Sequence, residues 1–338
     1  MIPFLAPRLG LDLGTSKTSL VSGNKITYSE PTAMVADTRS KRVLYIGRSA
    51  SERAGKLGAG SEMIRPVARG VIADYAATRF MLRKVFSQAM KSPMALRPMV
   101  AAAVPIKISS VHERALCDAA REAGAGKIYL VPCNLASYVA ITGNMNDPRG
   151  SLIVDIGAGV TDISVIASNE IIVGRTLEFG GDDLTAMVQR LIEVNLGTAS
   201  SREEAAQAKI KVGLQPRKGE KIYIRRMDTE GGSGLQEIEI PHVDLAAMLY
   251  KGLKPLADGL QAALEETPPE LYEDIFFRGV ILTGGGSLLK GLADYFQSRF
   301  QVKVNMSKEP ELTAIRGVGR IVNDFSKFRE FFNDRAAF

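Results

Sequence analysis

The chain has 338 residues, of which 46% are hydrophobic and 24% are charged. These proportions are typical of soluble globular proteins, and they exclude a disordered chain, a collagen-like repeat and a small disulfide-stapled domain. The 43 lysines and arginines exceed the 37 aspartates and glutamates by only 6. That dispersed excess is compatible with an anionic ligand or an acidic membrane surface, but it predicts no specific nucleic-acid partner.

Cysteine and histidine are scarce: the chain contains only Cys117, Cys133, His112 and His242. A disulfide framework or a Cys/His metal centre is therefore not expected. No stretch approaches the ~20 apolar residues of a membrane-spanning helix, and the first residues lack the charged lead-in of a secretory signal. We expect a cytoplasmic protein whose contact with the cytoplasmic membrane is peripheral.

Strand-like and helix-like patterns alternate along the chain, which predicts an α/β protein. Asp74 is expected to begin an amphipathic helix. Two later helices are expected to begin with capping boxes, at Ser110 and at Ser201, since each serine is followed three residues later by glutamate. Strand patterns at 221–227 and 235–240 surround a glycine-rich turn and predict a β-hairpin.

An internal repeat is the most informative feature of the sequence. The pattern Asp-x-Gly-x-x-x-Thr occurs twice between apolar runs, at Asp12, Gly14 and Thr18 and again at Asp155, Gly157 and Thr161. Each copy is typical of a strand, a tight polar turn and a returning strand. Two copies predict two related domains that each present one such turn. The alternative is a pair of ordinary hairpins with Asp-Gly-type turns.

The two turns have the composition of phosphate-binding loops. Glycine lets a backbone approach a phosphate closely, and small hydroxyl residues and lysine add donors. The residues expected to surround the phosphates are Gly14, Thr15, Ser16 and Lys17 in the first turn and Gly157, Ala158, Gly159, Val160 and Thr161 in the second. Because Mg²⁺ prefers oxygen ligands and keeps several waters, Asp12 and Asp155 are expected to hold it through water.

A third glycine cluster follows a buried-type strand, at Gly284, Gly285, Gly286 and Ser287. Bare backbone there would let a flat adenine or ribose lie against the turn, although a glycine-rich connection without chemical importance is the alternative. Ser287 is expected to cap the next helix, with Leu288 facing inward. Other nucleotide signatures are missing, since neither a G-x-x-x-x-G-K-[ST] nor a suitable G-x-G-x-x-G occurs.

The arrangement of these motifs resembles the actin, sugar-kinase and heat-shock-chaperone ATPase superfamily, and within it the bacterial actin MreB family. The segments that carry the closer resemblance are Gly-Leu-Asp-Leu-Gly-Thr at 10–15, Ser-Glu-Pro at 29–31, Ile-Arg-Pro at 64–66, Gly-Val-Ile-Ala-Asp-Tyr at 70–75, Thr-Pro-Pro-Glu-Leu at 267–271 and Leu-Thr-Gly-Gly-Gly-Ser-Leu-Leu-Lys-Gly-Leu at 282–292. The resemblance covers nearly the whole chain.

The resemblance implies an actin-like ATPase fold with two related ribonuclease-H-like domains, each with a small subdomain, and a nucleotide cleft between them. Domain I is then expected at 1–148 plus 324–338, with small subdomain IB at 31–71. Domain II is expected at 149–323, with small subdomain IIB at 184–244.

The resemblance also implies ATP and Mg²⁺ as ligands and adds Gly181, Asp182, Lys209 and Lys211 to the nucleotide site. At Lys211 the family typically has a glutamate that reaches the ribose, and lysine cannot accept those hydrogen bonds. Lys17 replaces the usual asparagine and would place a direct charge on the phosphates. These departures indicate a specialised paralogue, for which the magnetosome-aligning actin MamK is a possible comparison.

A further departure affects hydrolysis. MreB proteins carry two glutamates and a proline after a short strand, and one glutamate positions the water that attacks the γ-phosphate. Here the positions are Pro132, Cys133 and Asn134, and neither proline nor a neutral thiol orients water well. The resemblance leaves residual catalytic roles to Thr161 and Asp155, so we expect intact binding but slow hydrolysis. Cys133 is either a nucleophile or a small helix-start residue, and the second interpretation is favoured.

The resemblance implies polymerisation of the chain with itself into paired protofilaments at the inner face of the cytoplasmic membrane. Two apolar regions are expected to contact lipid, comprising Ile2, Phe4 and Leu5 at the start and Met94 and Leu96 in a loop flanked by cations. Alternatively, the loop packs under its own domain. A sugar-type kinase and a chaperone-like nucleotide switch are the rival functions, although the chain offers no evident carboxylate base for the first or peptide-binding domain for the second.

Overall fold

The structure, a computed structural model, describes residues 6–55, 57–90, 96–143, 147–196, 200–227 and 235–328. The strands are β1 Arg8–Leu13, β2 Lys17–Ser22, β3 Lys25–Pro31, β4 Met34–Asp37, β5 Val43–Ile46, β6 Ser61–Ile64, β7 Val67–Ala68, β8 Val71–Ile72, β9 Met99–Val104, β10 Lys127–Pro132, β11 Ser151–Ile156, β12 Thr161–Ala167, β13 Glu170–Leu177, β14 Lys221–Met227, β15 Leu235–Pro241, β16 Val280–Thr283 and β17 Val304–Met306.

Eleven α-helices lie within the described ranges. They are α1 Arg48–Ser51, α2 Tyr75–Ala89, α3 Ser110–Glu122, α4 Cys133–Thr142, α5 Gly181–Leu196, α6 Arg202–Val212, α7 His242–Gly252, α8 Lys254–Glu265, α9 Pro269–Arg278, α10 Leu292–Phe300 and α11 Thr313–Asn323. No helix in those ranges is both long and apolar enough to cross a lipid bilayer.

Two five-stranded sheets share one topology. The first has the order β10-β9-β1-β2-β3 and the second the order β13-β12-β11-β16-β17. In each, three successive strands form an antiparallel meander, and two further strands run parallel to its first strand. The repeated sequence pattern therefore corresponds to a repeated fold, and the predicted α/β class is confirmed.

The register of the two acidic turns is equivalent. Asp12 pairs with Ser19 and Asp155 pairs with Asp162 on the returning strand. The Gly14 N–H donates to the Lys17 carbonyl over 3.0 Å, and the Gly157 N–H donates to the Val160 carbonyl over 2.9 Å. A Cβ on either glycine would lie only 2.9 Å from that carbonyl oxygen, so both turns need glycine at this position.

Smaller elements extend from these sheets. Strands β4, β5 and β6 form a three-stranded sheet, and β14 pairs with β15 as the predicted hairpin. These elements lie within the ranges expected for subdomains IB and IIB. The domain boundaries themselves, including the division at 148/149 and at 323/324, stay a prediction.

Helix starts follow the local sequence closely. Asp74 accepts a hydrogen bond from the Ala77 N–H at the start of α2, and Ser201 forms the predicted capping box of α6. The prediction for α3 is wrong by one residue, because Ser109 is the capping residue and Ser110 is already helical. Two adjacent serines offer the same cap, and sequence alone does not distinguish them.

Helices α4 and α11 connect the two halves of the molecule. Their buried side chains form one cluster with residues of both sheets, including Ala101 of the first and Ile153 of the second. The approach is close: a Cβ on Gly317 of α11 would lie 1.7 Å from the Ala136 carbonyl oxygen of α4. The two sheets are thus joined through a tightly packed helix pair behind their acidic turns.

Candidate functional site

A cavity of about 660 Å³ lies where the two acidic turns meet. Both turns, the start of α5, helix α6 and the third glycine cluster contribute to its walls. The sequence-predicted residues that line it are Asp12, Gly14, Thr15, Ser16, Lys17, Asp155, Gly157, Ala158, Gly159, Val160, Gly181, Asp182, Lys209, Gly284, Gly285 and Gly286.

The turns face each other at short range. A Cβ on Gly159 of the second turn would lie 2.6 Å from the Thr15 Oγ1 of the first. The same hydroxyl accepts a hydrogen bond from the Gly70 N–H over 3.0 Å. Residues more than 140 positions apart in sequence therefore form one wall of one cleft, and its open glycine backbone suits the close approach of phosphate oxygens.

The pKa values of the carboxyl groups at the base of the cleft are raised. Burial raises the pKa of Asp12 to about 6, against the opposing attraction of Lys17. Burial and then the nearby Asp162 and Asp12 raise the pKa of Asp155 to about 8. Two carboxylates that repel each other in this way are stabilised as anions by a divalent cation. The donor set therefore fits Mg²⁺ held through water by Asp12 and Asp155.

Asp162 belongs to this cluster although the sequence motif did not identify it. Its Oδ1 accepts from the Ile106 N–H and the Thr176 hydroxyl, and its Oδ2 accepts from the Cys133 thiol over 3.0 Å. Burial raises the pKa of Asp162.

Cys133 and the preceding Pro132 stand where the family resemblance implies a catalytic glutamate. Cys133 is the first residue of α4, as the helix-start interpretation predicts. Burial, followed by the repulsion of Asp162 and Asp155, raises its pKa well above the ordinary value for a thiol. The protonated sulfur donates to Asp162, so this environment opposes the thiolate that a nucleophile requires.

Two predicted side chains with hydroxyl groups do not line the cavity. Thr161 is fully buried, and its hydroxyl donates to the Phe179 carbonyl over 2.9 Å. Ser287 lies within a 3₁₀ turn, where its hydroxyl donates to the Gly284 carbonyl over 2.7 Å, and α10 begins only at Leu292. The prediction of Ser287 as the helix cap is therefore wrong, because Gly291 is the residue that precedes α10.

Two further positions differ from the expected orientation. Lys211 is exposed on α6 and lies outside the lining of the cleft, whereas Lys209 lines it. The Lys209 ammonium donates to the Gly181 carbonyl and the Thr185 hydroxyl, and burial lowers its pKa to about 8. Leu288 does not face inward: its side chain is 52% exposed and borders the cavity.

Two ion pairs join the segment before α2 to the elements around α5 and α6. The Arg69 guanidinium contacts the Asp183 carboxylate over 2.7 Å and donates to the Glu178 carbonyl over 2.8 Å. Arg65 contacts Glu203 of α6 over 3.3 Å. These groups hold the segment before α2 against the second half of the molecule.

Two equivalent sheets that present acidic glycine turns to a shared cleft define an actin-like protein. A family model described as MreB/Mbl protein matches residues 6–330, and the chain belongs to the MreB/Mbl family. Similar relatives include the cell shape-determining protein Mbl of Bacillus subtilis, 30% identical over 94% of this chain and 96% of that protein. The cell shape-determining protein MreB of Escherichia coli is 29% identical over 92% of each chain.

Solved structures agree with this assignment. MreB5 of Spiroplasma citri bound to ADP has a TM-score of 0.89 and 26% identity, with coverage of 97% of this chain and 99% of that one. The MamK double helical filament has a TM-score of 0.78 with 94% and 99% coverage, and at 20% identity it supports the fold alone. The predicted actin-like fold is confirmed.

Proposed function

We propose that this chain is an ATP-binding bacterial actin homologue that polymerises into cytoskeletal filaments and serves cell shape or intracellular organisation. The observation that carries the proposal is the pair of facing turns, which bring Asp12 and Asp155 to the base of one cavity. Membership of the MreB/Mbl family supports a cell-shape cytoskeletal role.

We expect the cleft to bind a magnesium-bound nucleoside triphosphate. Backbone N–H groups of the two turns would contact the phosphates, with Lys17 adding a charge. Bound Mg²⁺ would offset the repulsion between the anionic phosphates and the two aspartates. The bound ADP and AMPPNP of the Spiroplasma citri MreB5 structures support this class of ligand. A sugar-type kinase and a chaperone-like switch remain the alternative functions on the same fold.

Sedimentation separates these alternatives. We expect the purified chain to move from the supernatant to the pellet after addition of MgATP, and to form paired protofilaments in electron micrographs. An Asp12→Ala variant that binds no nucleotide is the matched control and should stay soluble. Wild-type protein that binds MgATP but does not sediment at any concentration tested would contradict the proposed polymerisation while leaving nucleotide binding intact.

We propose that ATP hydrolysis is slow because the thiol of Cys133 cannot orient the attacking water. The Cys133 proton is committed to Asp162, and sulfur is a weak hydrogen-bond acceptor. Thr161 does not substitute for it here, because its hydroxyl is turned to the Phe179 carbonyl. The chain would then retain bound triphosphate, which favours long-lived filaments.

Installing a carboxylate at this position should restore turnover. We expect Cys133→Glu to raise steady-state phosphate release at least tenfold, in the lower range of what a positioned base contributes. Cys133→Ala is the control for the loss of the thiol and should stay at the wild-type rate. A wild-type rate equal to that of the Escherichia coli relative, measured side by side, would contradict slow hydrolysis.

We propose peripheral attachment to the inner face of the cytoplasmic membrane. Leu96 is 51% exposed and is followed by the exposed Arg97; an apolar group beside a cation suits an anionic interface. Ile2, Phe4, Leu5 and Met94 lie outside the described residues. The polymerised protein is expected to float with vesicles containing anionic lipid, and a variant with Met94 and Leu96 both changed to Asp should not. Equal flotation of both would contradict a role for this loop.

A further inference from the structure

The end of the cavity between α6 and the third glycine cluster has exposed apolar side chains on its walls. Ile210 of α6 is 57% exposed and Leu288 is 52% exposed, and both border the cavity with Leu289 and Pro310. Two large apolar side chains facing an open cleft indicate a flat apolar ligand group between them. If the phosphates lie at the acidic turns, as the proposed function requires, this end receives the purine base.

One carboxylate also lies at this end. Glu311 borders the cavity, and its Cβ lies 3.8 Å from the place where a Cβ on Gly285 would stand. In the part of the chain that the structure describes, no cation lies within 4 Å of the Glu311 carboxylate. The neighbouring acidic residue, Glu309, instead pairs with Arg316. An exposed, unpaired carboxylate therefore stands beside the apolar slot.

A carboxylate distinguishes between purine bases because it only accepts hydrogen bonds. Guanine presents two adjacent donors, the N1–H and the exocyclic amine, and a carboxylate can accept both at once. Adenine presents one donor beside the N1 lone pair, which repels a second carboxylate oxygen. Hydrogen bonds to an ionised acceptor are about twice as strong as neutral ones, and a two-point contact adds geometric selectivity.

We propose that Glu311 is the specificity-determining residue at the base end of the cleft, and that it makes the chain bind guanine nucleotides at least as tightly as adenine nucleotides. The Gly284–Gly286 turn supplies the flat backbone surface, Ile210 and Leu288 enclose the ring, and Glu311 contacts its hydrogen-bonding edge. The inference rests on the proposed nucleotide site and adds guanine nucleotides to the ligands of that site.

Competition binding on the full chain tests this inference with MgATP, MgGTP and MgITP as probes. Inosine lacks the exocyclic amine, so ITP should bind the wild-type chain about tenfold more weakly than GTP. Glu311→Gln offers one acceptor and one donor, which match the edge of adenine. We expect this variant to lose about tenfold in affinity for GTP relative to ATP.

Control variants separate base recognition from a structural role of the carboxylate. Glu309→Gln, two residues away and outside the cavity lining, should leave the ATP-to-GTP affinity ratio within twofold of wild type. Glu311→Leu should weaken the binding of GTP and ITP, so that both bind with the same affinity. An unchanged ATP-to-GTP affinity ratio in Glu311→Gln would overturn the inference. A change in stability alone would not support it, because Glu311 precedes α11 and its substitution can affect that helix. If no nucleotide binds the wild-type chain, both the proposed function and the inference about Glu311 fail.

Discussion

Replacing Asp155 by asparagine is expected to weaken binding of MgATP about 100-fold and, in the same variant, to stabilise the nucleotide-free protein at pH 8. The first effect follows from removing one of two charges that hold the metal through water. The second follows because burial and like-charged neighbours make ionised Asp155 unfavourable in the folded chain, raising its pKa to about 8. Asparagine keeps the shape of the side chain and removes the charge.

The sign of the pH dependence is fixed by the direction of the shift. The folded pKa, about 8, lies above the unfolded value of 3.8, so between these values the folded state holds a proton that the unfolded state has released. This contribution to wild-type stability is complete below about pH 4 and is lost as pH rises through the folded pKa. The gain from Asp155→Asn should therefore be largest at and above pH 8 and vanish near pH 4.

Thermal melts of nucleotide-free protein between pH 4.5 and pH 8.5 measure this effect. We expect a gain of about 2 kcal/mol at pH 8, since water in the open cleft screens part of the penalty. Asp12→Asn is the matched control, and its gain in unfolding free energy should be smaller, because the pKa of Asp12 rises only to about 6. A lower melting temperature for Asp155→Asn at pH 8 would show that a favourable interaction of the carboxylate had been overlooked.

The features that could be predicted from sequence are those determined by local geometry. The Asp12 and Asp155 turns are determined within seven residues each, because a strand, a glycine that tolerates a close carbonyl and a returning strand suffice to define them. Their convergence on one cleft followed from the repeat itself, since two related domains present the same turn. Sixteen of the nineteen predicted nucleotide-site residues consequently line the cavity.

The predicted site residues that do not line the cavity have side chains with partners elsewhere or with another orientation. Thr161 and Ser287 are small hydroxyl residues in correctly predicted turns, but nearby carbonyl groups accept their hydrogen bonds. The preference of Lys209 over Lys211 depends on the rotation of α6 about its axis, and two lysines separated by one residue face different directions. A motif fixes position along the chain but not this orientation.

Two residues of the site carried no recognisable signal. Asp162 follows the second motif, and its role emerges only when α4 brings Cys133 within hydrogen-bonding distance. Glu311 lies in a short 3₁₀ turn before α11 and is brought to the cavity by the packing of the third glycine cluster. Both contacts join segments far apart in sequence, so local patterns cannot reveal them.

Substituting alanine for Gly317 is expected to cost about 3 kcal/mol or more of unfolding free energy, or to prevent folding. In an exposed helix, glycine to alanine is favourable by about 1 kcal/mol. Here the new methyl group would lie 1.7 Å from the Ala136 carbonyl oxygen, which belongs to the backbone of α4 and cannot move alone. The two helices would have to separate, and with them the two sheets that they join.

Urea denaturation measures the loss, with Gly319→Ala as a matched control in the same helix. A Cβ at Gly319 would meet the two Val21 methyl groups, at 3.1 and 3.2 Å, and the Gly23 carbonyl oxygen at 3.5 Å. The methyl groups can shift by a few tenths of an ångström and the carbonyl oxygen is at an ordinary contact distance, so we expect a change within about 1 kcal/mol. Equal stability of the two variants would mean that α4 and α11 can separate without cost. Where Gly317→Ala folds, it should also bind MgATP more weakly than Gly319→Ala, because separating the helices moves the Asp12 turn away from the Asp155 turn.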